Sequence, residues 1–173
     1  MTMPRPFRLL VLDALTAQIK KVSPANGYHF DVAEAVFRGR VWFGDDDPLP
    51  MVSILEPPLA IEQLRSQADN TGSEGDWDLL LQGWVPDDKS NPTDPAYAFV
   101  AEVIKSLAEA KTQKNGRTSD IFGLGAGLGR NFGIENMTIG APVVRPADEV
   151  SARACFYLPV TFKIAEDMTN PFL

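Results

Sequence analysis

Near the end of the chain Ala154, Phe156, Leu158, Val160, Phe162 and Ile164 occupy every second position. A period of two puts all six on one face of a β-strand, and a strand with a wholly apolar face needs sheet neighbours beside it and a layer against it. The fold is therefore built around a sheet with at least one covered face. Pro159 interrupts the run and has no N–H to give to a ladder, which predicts a strand at or near an edge, or one carrying a bulge. An open edge is an aggregation liability in a monomer and a joint in an oligomer.

The remaining elements follow from period and punctuation. Leu12, Leu15, Ile19 and Val22 recur at helical spacing, with Pro4 and Pro6 at the entry and Ser23-Pro24 and Asn26-Gly27 at the exit, predicting a helix of about four turns. Residues 36–43 change to a period of two. The turn chemistry of Gly44-Asp45-Asp46-Asp47-Pro48 then leads into a strand over 51–56, predicting a hairpin. Residues 61–68 have the spacing of a short helix, and 69–75 read as a polar loop. Residues 77–85, apolar on both faces around Leu79, Leu80 and Leu81, read as a central strand. Asp94 and Pro95 open the clearest helix, whose stripe is Phe99, Val100, Val103, Ile104 and Leu107. Residues 112–133 break every pattern, with isolated Phe122, Leu124, Leu128 and Phe132 among glycines. Met137, Ile139, Ala141 and Val143 then alternate, and a turn at Pro146-Ala147-Asp148-Glu149 leads into the final strand, making a second hairpin. The order is α-β-β-β-α-loop-β-β. It predicts a single α+β domain with a mainly antiparallel sheet of about five strands flanked by two main helices.

Composition narrows the chemistry. With 173 residues, 45% hydrophobic, the chain is long enough to bury a core without covalent staples. Cys155 is the only cysteine and His29 the only histidine, so one subunit holds no internal disulfide, no cysteine-cluster zinc site and no His-His metal pair. Sixteen Lys and Arg against 23 Asp and Glu leave a net charge of −7, the reverse of the footprint of a phosphate-clamping surface. No run approaches the ~18 apolar residues that span a bilayer. Asp13 interrupts the apolar N-terminal stretch and no small-residue cleavage site follows, so the expectation is a soluble protein of the cytoplasm.

The candidate chemical motifs weaken on inspection. The glycines at 123, 125, 127 and 129 match no frame of G-x-G-x-x-G and follow a helix, where the dinucleotide fingerprint must follow a strand. Cys155 sits in a strand, as a small buried hydrophobe does, and nothing places His29 beside it. The Asp45-Asp46-Asp47 run lacks the spacing of a calcium loop and reads as a solvated turn. Trp42, Trp77 and Trp84, with Phe37 and Phe43, suit a sheet core and interface better than a base-stacking platform. The expectation is no catalytic residue, no cofactor and no metal.

Three stretches carry a resemblance to a known family: Ala25-Asn26-Gly27-Tyr28-His29-Phe30-Asp31-Val32, Val36-Phe37-Arg38-Gly39-Arg40 and Asp47-Pro48-Leu49-Pro50-Met51-Val52-Ser53-Ile54-Leu55-Glu56. Together with Trp77-Asp78-Leu79-Leu80-Leu81-Gln82-Gly83-Trp84, the helix from Asp94 and the last strand, they resemble the tail terminator proteins of tailed double-stranded DNA phages, also called tail completion or neck proteins. The resemblance implies a virion protein assembled in the host cytoplasm, with a sheet flanked by helices and no catalytic residues. It implies a homo-oligomeric ring, typically of six copies, that caps the tail tube, stops its polymerisation and meets the head connector protein. DNA would pass the lumen without specific binding, and acidic lumen side chains would let it slide. On this reading Arg38 and Arg40 lie at the subunit interface. Phe122, Leu124, Leu128 and Phe132 gain order against a neighbouring subunit, the tube or the connector. The alternatives are another neck component, such as a connector adaptor or minor tail protein, and a small enzyme built on His29 or an acidic pair.

Overall fold

The computed structural model describes residues 4–44, 46–57, 72–111, 120–125, 132–147 and 153–172. In chain order they form α1 (Phe7–Ile19), β1 (Val36–Arg38), β2 (Met51–Leu55), β3 (Gly72–Pro86), α2 (Asp94–Lys111), β4 (Gly133–Ile139), β5 (Val143–Arg145) and β6 (Arg153–Asp167). The sheet runs β1-β2-β3-β6-β4, with β5 pairing β6. This is the expected α+β architecture, with six strands in a mixed sheet.

The alternation in β6 places Phe156, Leu158, Val160 and Phe162 in the core, under α2. Phe99 of α2 meets Phe156 edge-on at 5.3 Å between ring centres. Helix α1 buries Phe7, Val11, Leu15, Gln18 and Ile19: Leu15, Ile19 and, just past the helix, Val22 are buried as the spacing indicated, Leu12 is half-buried, and the stripe begins a turn earlier, at Phe7. Pro6 offers no side-chain cap, and the Phe7 N–H instead donates to the Pro171 carbonyl at 3.0 Å. The helices are joined by a buried polar lock. Gln18 Nε2 donates to the Ser106 carbonyl at 2.6 Å, and Ser106 Oγ donates to the Gln18 carbonyl at 2.9 Å.

Three sequence expectations are corrected. First, β1 and β2 are parallel, with Val36 opposite Val52 and Arg38 opposite Ile54, so they form no hairpin. β1 ends at Arg38 rather than 43, because Gly39 turns the chain at φ +66°. The long segment from there to β2 is the crossover that a parallel pair requires. Second, residues 72–75 are strand and not loop: β3 begins at Gly72 and pairs to Asp167 at the far end of β6. Polar residues extend a strand when a long partner supplies the ladder. Third, β6 is central and Pro159 lies inside the sheet, opposite Leu80. The Pro159 carbonyl accepts the Gly140 N–H at 2.8 Å, so its nitrogen, which faces the same way, meets the gap between β4 and β5. No ladder bond is lost there. The bulge in this part of the sheet is on β4, between Ile134 and Asn136. The helix expected over 61–68 lies outside the described residues.

Candidate assembly surface

Side chains on the sheet face away from the helices include Phe37, Ser53 and Trp84, and the segment after β1 folds over them. The Phe43 ring lies 4.3 Å from that of Trp84, and Ser53 Oγ donates to the Arg40 carbonyl at 2.7 Å. Arg40 binds this segment together. Its guanidinium sits 4.7 Å from the Phe37 ring centre and 5.0 Å from that of Phe43, and its Nη2 donates to Asp47 at 2.5 Å. The other Asp47 oxygen accepts the Gly44 N–H at 2.6 Å. That backbone bond, reinforced by Arg40, holds the Asp47 carboxyl below its ordinary value. Arg153 donates to the Gly44 carbonyl at 2.7 Å.

This bracing presents two apolar residues to solvent. Val41 is 62% exposed and Trp42 is 86% exposed. Trp77 and Trp84 are buried, so the three tryptophans separate into two core residues and one surface residue. A solvated indole on a fixed segment is a feature of interaction surfaces, because burying Trp yields more than burying any other side chain.

The structure locates five of the six residues expected at an interface. Arg38 is exposed and pairs with Asp13 at 2.7 Å, and Asp13 is shared with Arg5. Arg40 is committed to Asp47 and the two phenylalanines of its own chain, so it shapes the surface from beneath. Phe122 packs on Phe162 at 6.1 Å, at φ +59°, and Leu124 packs on the same core, its carbonyl accepting the Ile134 N–H at 2.7 Å. Both are half-buried by their own subunit. Phe132 lines a small cavity of about 200 Å³ beside Phe7 and Arg8. Leu128 lies outside the described residues. Val41 was assigned to no interface by the sequence, and Trp42 only as one of a group of core and interface aromatics. Their signal was the apolar run Val41-Trp42-Phe43 set between Arg40 and the turn residues from Gly44.

The groups considered for catalysis are dispersed. His29 lies at a cleft with Pro86, Asp88, Asn91 and Asp94, where its backbone N–H donates to Glu102 at 2.7 Å. Cys155 alternates with Ala154 and Phe156 and so projects from the opposite face of the sheet. Among the described residues no three His, Cys, Asp or Glu side chains are grouped to hold a metal. No described helix is long and apolar enough to cross a membrane.

Among the described residues β1 is the last strand at one end of the sheet, and β4 is the last at the other. Among the described residues only the Gly125–Ile134 bridge covers part of the β4 edge. No protein-family model and no curated protein matches the sequence.

Proposed function

We propose that the protein is a structural subunit of a phage neck, a tail terminator that assembles as a homo-oligomeric ring, caps the tail tube, stops its polymerisation and joins the tail to the head connector. The observation that carries this reading is that, among the described residues, the sheet ends in two different edges, β1 and β4. Two unlike edges on one subunit suit a head-to-tail contact, the kind that closes into a ring when the rotation between neighbours divides a full turn. The exposed Val41 and Trp42 add an apolar surface for the tube, the connector or a neighbouring copy. The acidic balance suits a ring that DNA passes without being gripped.

The test is light scattering of the purified protein, alone and with tail tubes, followed by negative-stain imaging of the tube ends. A ring in solution, or a cap on tubes of uniform length, supports the reading. A protein that forms no ring and leaves tube ends bare and tube lengths unregulated overturns it.

A further inference from the structure

Gly39 is the last described residue bonded along the β1 side of β2, through its N–H to the Ile54 carbonyl at 2.8 Å. Beyond it, among the described residues, no strand flanks Leu55 on that side. A groove of about 410 Å³ opens there. Leu9 and Leu12 line it from α1, Ile54 and Leu55 from β2, and Val41 from the braced segment. Its volume suits a buried side chain or a small ligand. Trp42, the residue next to the groove's Val41, is left in solvent.

We infer that this surface docks a second copy of the chain about a twofold axis, each Trp42 entering the other copy's groove. Two observations select that occupant. Knob and groove adjoin on one surface, as a self-complementary patch paired about a twofold axis requires. The charges on the groove also match under that rotation. Arg38 shares Asp13 with Arg5, leaving an excess positive charge on its side. Glu56, two residues past the Arg38–Ile54 pairing along β2, is exposed and accepts a long bond from Trp77 Nε1 at 3.4 Å. In the pair, Arg38 of each copy faces Glu56 of the other. The bracing of the segment by Arg40, Asp47 and Arg153 lowers the ordering cost of such docking. The pairing covers the β1 edge, so it describes the free protein and competes with ring closure through that edge.

Sedimentation velocity over a concentration series from the micromolar range upward tests it. The expected result is a mass rising from 18.9 kDa to twice that value. Trp42→Ala weakens the association at least about tenfold, with an unchanged thermal midpoint at dilutions where both proteins are monomeric, because the indole is exposed in the single chain. Arg38→Glu and Glu56→Arg each associate weakly alone, and mixing them in equal amounts restores the dimer, since both cross-pairs then join opposite charges. A monomer throughout the series, a dimer indifferent to Trp42→Ala, or single variants that stay apart when mixed overturns the inference. A ring with no dimer also overturns it while supporting the neck reading, so the two fail separately.

Discussion

Gly83 shows how one residue sets the local packing. It lies in β3 opposite Phe156 of β6, and a Cβ built on it would come within 2.2 Å of the Phe156 ring. The bare backbone there lets the ring lie across the neighbouring strand and meet Phe99 of α2. Gly83→Ala must push Phe156 from its place, with an expected loss of about 1–3 kcal/mol from overpacking, read from denaturant unfolding. A variant as stable as wild type contradicts the close approach. Polar residues make a similar point. Gln18 and Ser106 are buried and bonded across the two helices, the Gln18 side-chain oxygen accepting in addition from Lys21, and each sits on an otherwise apolar helix stripe. Their partner is 88 residues away in sequence, so no local pattern announces it. Trp42 is the converse case: its composition suggested core or interface, and only the turn at Gly39 decided that it faces water.

Among the elements, the segment between β1 and β2 is braced by a titrating group. Asp47 accepts the Gly44 N–H and a charge-assisted bond from Arg40, and both hold its carboxyl below the ordinary value of 3.8. A depressed carboxyl stabilises the folded form fully above that ordinary value and loses its contribution as the pH falls through the lowered one. The Gly44 amide resonance is therefore expected to titrate with a midpoint below 3.8, and Asp47→Asn to abolish that titration. A midpoint at or above 3.8 refutes the bracing role. The same segment explains why the hairpin expectation failed. Acidic turn residues and flanking apolar runs are common to hairpins and crossovers, and strand direction rests on where Val36 and Arg38 find their ladder partners. Helix α2 was legible almost to its ends, because an Asp and a Pro in the first turn and a broad apolar stripe are local signals that agree.

At the scale of the whole molecule, β6 is the axis of the fold, flanked along its length by β3 on one side and by β4 and β5 on the other. Lys163 adds a surface tie across three strands, bonding Glu74 of β3 and Glu135 of β4 at 2.8 Å each, and the two carboxylates raise its pKa. In native-state hydrogen exchange the amides of Phe156, Leu158 and Val160 are expected to exchange slowest, through global unfolding, while those of β1 exchange through local opening. Uniform protection from β1 to β6 contradicts this hierarchy. The sequence by itself determined the two helices, the α+β class and the identity of the main core strands, because those follow from periodicity and capping within a few residues. It also excluded an internal disulfide and every metal site that needs two cysteines or histidines from one subunit, since a single Cys and a single His leave nothing to pair. Tertiary structure alone decided that β6 is central despite Pro159, because the gap between β4 and β5 falls opposite its missing donor. It decided equally that β1 runs parallel to β2 and that Trp42 stands beside an open groove. Such outcomes depend on which distant segments become neighbours, and a chain's local periodicity holds no record of that.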